Sequence, residues 1–267
     1  VKNLLTIAGS DSCGGAGIQA DLKTFSALGT YGMSVITAVT AQNTTGVFDV
    51  REMDTDIVRK QIECLFEDIE IHGVKIGMVS SIEIINTIAE ALQKKNAVNI
   101  VLDPVMVSKS GCHLLRPESG QALIEKLFPL ALLVTPNLPE AEVITGGKIE
   151  TLAQMEGAAV NIYKMGARNV VVKGGHLSGD AIDVFYDGKT FSYLQGVRID
   201  TKNTHGTGCT FSSAITAFIA KGSPIPEAVR LAKNYINGAI KNSLALGHGV
   251  GPTHHFYDLY QKAGYEG

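Results

Sequence analysis

The sequence predicts a doubly wound α/β domain, and three observations predict it. Short apolar runs rich in Val and Ile alternate with longer stretches of helical period along the 267 residues, the pattern of parallel strands joined by helical crossovers and buried on both faces. Glycine is abundant, at 29 residues, as expected where many tight loops join short elements. The unusual chemistry is concentrated in the turns that follow the apolar runs, where open parallel sheets collect their ligands. Length fits one domain, 1–267, with no internal repeat, low-complexity segment or linker.

Taken in order, NLLTIA (3–8) is a strand and AGIQADLKTFSALG (16–29) the helix after it. Residues 33–53 interrupt the alternation and predict a small flap or edge strands. HGVKIGMV is a strand followed by a helix over 81–94, in which Ile84, Ile85, Ile88, Ala89 and Leu92 share one side by 3.6-residue spacing. NIVLDPV, ALLVTPN and NVVVKGG are three further strands, with SGQALIEKLF and LAQMEGAAVNIYKMG as the helices between them. Residues 181–197 carry Asp187-Gly188 between alternating runs and predict an antiparallel hairpin. Two helices close the pattern, at 208–221 and 225–245, with Pro226 suited to a first turn.

A net charge of −3 without blocks of like charge argues against nucleic acid or a polybasic membrane surface and for a small-molecule partner. The opening VKNLLTIAGS is too short for a signal sequence and no run approaches eighteen apolar residues, so a cytoplasmic protein is expected. Cys13, Cys64, Cys112 and Cys209 lie far apart with no CxxC spacing, which supports neither a disulfide framework nor a zinc site; Cys64 is expected to be a small packed side chain.

Five turns carry the chemistry. GSDSCGGAG (9–17) opens a helix with glycines that let a ligand approach the backbone, although neither the GxGxxG nor the GK[ST] spacing is present. Asp21, one turn on, is either a ligand contact or an answer to the helix dipole. GMV (77–79) follows its strand directly. DPVMVSKSG sets Asp103 at a strand tip, where an acid can hold a hydrated cation. TPNLPEAE repeats the arrangement with Asn137 and Glu140, which are equally the two halves of a capping box. Lys173, ahead of two glycines, suits a reach toward phosphate. In NTHGTGCT, the amides of Gly206, Thr207, Gly208 and Cys209 are expected to converge as an anion nest. The same dipole is expected to lower the Cys209 thiol pKa. His205 beside a cysteine is weak evidence for a cysteine hydrolase, since no third orienting group accompanies the pair.

With these segments placed, the chain resembles the ribokinase-like superfamily and, within it, the hydroxymethylpyrimidine/phosphomethylpyrimidine kinases of thiamine biosynthesis. The likeness runs from GSDSCGGAGIQADLKT through VITAVTAQNT, KIGMV, DPVMV, TPNLPEAE and VKGGH to NTHGTGCTFSSAI. It implies a three-layer α/β/α fold with a mostly parallel sheet and a small β flap, and an ATP- and Mg²⁺-dependent transfer to an aminopyrimidine alcohol and then to its monophosphate. It further implies substrate contacts from Gly9, Asp21, Gln42, Met78 and Val105, nucleotide contacts from Asn137, Lys173 and Thr207, metal binding by Asp103 and Glu140, and catalysis by Cys209 with the 206–208 loop. Most ribokinase-like enzymes end this loop in Asp, whereas a GTGC loop is the pattern of the pyrimidine kinases. A homodimer through the flap is implied as well. Pyridoxine and pyridoxal kinases share much of the pattern and give the alternative activity.

Overall fold

A computed structural model describes residues 1–107, 111, 114–175, 181–196 and 198–265. Its elements in chain order are β1 (Asn3–Asp11), α1 (Gly17–Ala27), β2 (Tyr31–Asn43), β3 (Gly46–Glu52), α2 (Thr55–Asp68), β4 (Gly73–Ile76), α3 (Ile82–Lys94), β5 (Ile100–Leu102), α4 (Gly120–Leu127), β6 (Leu133–Val134), α5 (Leu138–Thr145), α6 (Leu152–Lys164), β7 (Val170–Val172), β8 (Ala181–Tyr186), β9 (Phe191–Gly196), α7 (Thr207–Ala220), α8 (Ile225–Lys241) and α9 (Tyr257–Ala263). The strands form one sheet in the order β3-β2-β1-β4-β5-β6-β7-β8-β9. Its middle, from β2 to β7, is parallel, while β3 pairs antiparallel at one edge and β8 and β9 at the other.

The strands are apolar on both faces because helices cover both. Leu5, Ile7, Val74 and Ile76 pack with Ile62 of α2, Ile84 and Ile88 of α3, Leu127 of α4 and Met155 of α6. Leu4 lies on the other side with Phe25 of α1 and Ala217 of α7, as do Val101, Leu133 and Val171 with Phe211 of α7 and Ile236 of α8. Period-two alternation along each strand therefore feeds two cores and gives three layers.

Several boundaries differ from the sequence expectation. Residues 33–53 are more than a flap: β2, thirteen residues long, pairs in parallel with β1 from Tyr31 to Thr40 across one register shift, and of the two strands here only β3 lies at the sheet edge. In the β8–β9 hairpin the last pair is Tyr186 with Phe191, so the turn takes four residues, with Asp187 Oδ1 accepting from the amides of Lys189 and Thr190. The last long helix stops at Lys241 rather than 245, and Pro226 does sit in its first turn. Helix α2 has only Val58 and Ile62 buried, too thin a stripe to stand out in the sequence. Cys64, on α2, is exposed rather than packed. Cys112 and the segment 108–110 lie outside the described residues. Among the described residues no helix is long and apolar enough to cross a membrane.

Candidate active site

The carboxyl ends of the parallel strands and the first turn of α7 enclose a cavity of about 430 Å³, within the size range of small-ligand sites. Gly9, Gln42, Met78, Asp103, Val105, Asn137, Glu140, Lys173 and residues 206–209 all line it. Of the expected site residues, only Asp21 does not.

The anion loop is built by one backbone conformation. Gly206 is the N-cap of α7 at φ 78°, ψ 8°, a left-handed geometry natural to glycine. Its α-carbon also faces the Gly15 carbonyl so closely that no Cβ could stand there. The first glycine loop and the anion loop are thereby pressed together. The expected nest is narrower than four amides: the Thr207 amide turns back to the Thr204 carbonyl at 3.3 Å, and its hydroxyl donates to the same oxygen at 2.7 Å. The amides of Gly208 and Cys209 fall in the first helical turn, where no intrahelical acceptor exists. They are the donors free to meet an anion, with the helix dipole behind them.

Opposite this turn lies a charged group of three. Lys173 Nζ donates to Asp103 Oδ1 at 2.8 Å, and Thr135 Oγ1 donates to the same oxygen at 3.1 Å. Asp103 is 1% exposed, and its Oδ2 is the atom nearest to where a Cβ on Gly208 would stand, at 3.2 Å. Burial opposes the charge of Lys173, but Asp103 and Glu140 together outweigh it and hold the ammonium above its ordinary range. Asn137 and Glu140 do form a capping box: Asn137 Oδ1 accepts from the Glu140 amide at 2.9 Å, and Glu140 Oε2 from the Asn137 amide at 2.8 Å. The box starts α5 and aims Glu140 at the cavity, so the structural and ligand readings of this pair coexist. Burial, against the pull of Lys173, pushes the Glu140 carboxyl up to about 7.

The other end of the cavity is less charged. The Gly9 backbone lies against the Met78 thioether, and Thr37 Oγ1 holds the Met78 carbonyl at 2.7 Å. Thr40 Oγ1 donates to Gln42 Oε1 at 3.2 Å, which sets the amide Nε2 3.4 Å from His205 Nε2 at the edge of the cavity. An apolar wall beside one oriented amide suits a flat heterocycle with polar edge atoms.

One position at the cavity escapes the sequence reading, and His205 gains a partner that the reading did not supply. Asp11 accepts four hydrogen bonds, from the amides of Cys13, Gly15 and Ala16 and from His205 Nε2 at 2.8 Å. Burial opposes its charge, yet His205 and the amides hold its carboxyl below the usual range. The pair ties the first glycine loop to the residue just ahead of Gly206. Asp11, Cys13 and His205 bring three ligand-type atoms within 4.8 Å of one another; three of the four donors fall on Asp11 Oδ2 and one on Oδ1, so a metal taken through Oδ2 or through His205 Nε2 would have to break them. The signal available beforehand was an acid just ahead of a run of glycine amides.

Two expectations are overturned by burial. Asp21 is 0% exposed, and its oxygens accept from Thr6 Oγ1 at 2.6 Å, Lys75 Nζ at 2.9 Å and Ser213 Oγ at 2.7 Å. It is the counter-ion of Lys75 and does not line the cavity. Cys209 does sit in the first turn of α7, where the dipole should lower its pKa. Burial instead pushes the thiol up to about 11, against the pull of Lys75 and the Gly17 amide.

Comparison with known proteins follows the same lines. The family described as phosphomethylpyrimidine kinase matches residues 11–254. A hydroxymethylpyrimidine/phosphomethylpyrimidine kinase of Rhizobium meliloti is 55% identical over 257 residues, covering 95% of this chain and 96% of its own. A crystal structure of phosphomethylpyrimidine kinase from Clostridium difficile is 54% identical with a TM-score of 0.81, covering 90% of this chain and 100% of that one. An ADP complex of Bacillus subtilis pyridoxal kinase is 45% identical with a TM-score of 0.89, covering 95% and 97%.

Proposed function

This chain belongs to the phosphomethylpyrimidine kinase family, whose members are phosphotransferases, and from that premise we propose that it phosphorylates 4-amino-5-hydroxymethyl-2-methylpyrimidine and then its monophosphate with ATP. The observation that carries the reading is the facing of two unlike ends across one cavity: the Gly9, Met78 and Gln42 wall for a heterocycle, and the Gly208–Cys209 amides with Lys173 for phosphates. Phosphoryl transfer asks chiefly for in-line positioning and for donors on the equatorial oxygens, and this arrangement offers both.

In the first transfer the hydroxymethyl oxygen bonds to the γ-phosphorus, the bond to the bridging oxygen of ADP breaks, and the hydroxyl proton passes to the thiolate form of Cys209, whose own proton has first left to solvent. With its thiol held near 11, Cys209 rests protonated at neutral pH and must shed that proton before it can take another. In the second transfer the acceptor is an ionised phosphate and needs little or no base.

Asp103 and Glu140 fit a magnesium ion, because they bring hard carboxylate oxygens to the phosphate end of the cavity. Bound there, the ion would neutralise developing charge on the nucleotide phosphates. Glu140 holds its proton up to about pH 7, and a carboxyl must be ionised to ligate. Apparent Mg²⁺ affinity should therefore weaken by up to about tenfold per pH unit below 7, and calorimetric titration of the ADP complex at pH 6 and pH 8 checks it. In Glu140→Gln the affinity should be weaker and its fall below pH 7 shallower, only the titration of the nucleotide phosphate remaining; a wild-type pH dependence no steeper than that of the variant would remove Glu140 from the metal.

The test of the main reading is a coupled ATP-consumption assay offering the alcohol, its monophosphate and pyridoxal separately. Turnover of both pyrimidines is expected. Pyridoxal kinases of B. subtilis and Staphylococcus aureus share the fold at 45% and 40% identity, so turnover of pyridoxal alone would move this chain to vitamin B6 salvage.

A further inference from the structure

Strand β4 reads Gly73-Val74-Lys75-Ile76, a charge in the middle of an apolar strand. Val74 and Ile76 enter the core of α2 to α6, so Lys75 points the other way, between α1 and α7. There it is 0% exposed and paired with Asp21, itself 0% exposed. The Asp21 carboxylate is fixed from two further sides, by Thr6 of β1 at 2.6 Å and Ser213 of α7 at 2.7 Å. Asp21 takes only one of the three ammonium protons.

Stability does not account for such a pair. Desolvating two charges usually costs as much as their attraction returns, and apolar replacements of similar volume are often neutral or stabilising. Location does account for it. A Cβ on Gly77 would stand 2.5 Å from Lys75 Nζ, so the ammonium has climbed to the carboxyl end of β4, where Met78 already lines the cavity. Ser213, bonded to the same carboxylate, lies one helical turn below Cys209 on α7. The charge therefore sits beneath the first turn of that helix.

We propose that Lys75 is a positioning residue: held by Asp21, it places a fixed positive charge under Cys209, so that the sulfur can carry the negative charge the first transfer requires. The proposal rests on the reading of Cys209 as acceptor of the hydroxyl proton. The charges that face Cys209 are Lys75 from β4, Asp21 from α1, Asp103 beyond β5 and Lys173 beyond β7. Among them Lys75 pulls the thiol toward ionisation most strongly, and Asp21 and Asp103 oppose it.

The test needs no turnover: the rate at which iodoacetamide alkylates Cys209 in the full-length protein, read from its own peptide by mass spectrometry, between pH 7 and pH 10. Lys75→Met should slow alkylation at pH 8 by about tenfold, one pKa unit, while Lys75→Arg should restore it to within about threefold. Asp21→Asn should accelerate it, because an opposing charge is gone. A merely structural pair would move both variants in the same direction. If Lys75→Met does not fold, the charge-neutral double variant Lys75→Met with Asp21→Asn takes its place and should still be slower than the wild type. No change, or changes of one sign in Lys75→Met and Asp21→Asn, would overturn the proposal. A shift of opposite signs alongside unaltered alcohol turnover in Cys209→Ala would instead leave the charge device standing and refute Cys209 as the base.

Discussion

Gly206→Ala is expected to lower kcat/KM by about a thousandfold or more for both acceptors and to reduce the melting temperature. Two penalties combine. The residue holds φ 78°, where an L side chain costs about 1–2 kcal/mol. Its Cβ would also collide with the Gly15 carbonyl, a backbone atom that cannot move without dragging the first glycine loop. Relief requires the two loops to part, which swings the Gly208 and Cys209 amides away from the phosphate. Losing one preorganised donor of this kind costs about 2.7–4 kcal/mol in transition-state stabilisation, and here both donors move together. Gly238→Ala is the matched control: it lies inside α8 with open space around its α-carbon, and alanine there should stabilise the protein by about 1 kcal/mol with unchanged kinetics. Steady-state kinetics with a thermal melt on both variants decides the matter. Activity of Gly206→Ala within tenfold of the wild type would mean that the loop does not hold the phosphate.

What the sequence revealed and what it hid divide by distance along the chain. The alternation of strands and helices, the Asn137–Glu140 box and the α7 nest all depend on residues within one or two turns of each other, and local chemistry suffices to read them. The Lys75–Asp21 pair joins residues 54 apart and the His205–Asp11 pair residues 194 apart, which no local pattern encodes. Asp21 was misplaced for that reason. On α1 it looks like an acid near a helix start, and only the neighbouring strand and α7 show that its oxygens are taken. The thiol of Cys209 went wrong in sign for a related reason: the dipole that lowers its pKa belongs to its own helix, whereas the desolvation that raises it comes from the segments packed around it. A hint for Lys75 was present, since a lysine between Val74 and Ile76 has to be buried if the strand is central and then needs a partner.

Cys209→Ala should separate the two phosphorylations. The alcohol has a proton to lose, and removing a positioned general base typically costs 10²–10⁴-fold, so its kcat should fall by about a hundredfold or more. The monophosphate offers an ionised oxygen, and its kcat should change by less than about tenfold, that remainder being only the loss of packing around the α7 amides. The pH profiles carry the same signature. With the thiol near 11, the thiolate fraction grows about tenfold per unit below that value, so wild-type kcat for the alcohol should climb from pH 7 to pH 9 while kcat for the monophosphate stays level. The variant should lose the climb. Removing the sulfur leaves the backbone amide of residue 209 in place, so a defect in phosphate binding alone would appear in KM for both acceptors. Equal losses in kcat on both steps would show that Cys209 shapes the loop and takes no proton, and a level alcohol profile in the wild type would say the same without any substitution.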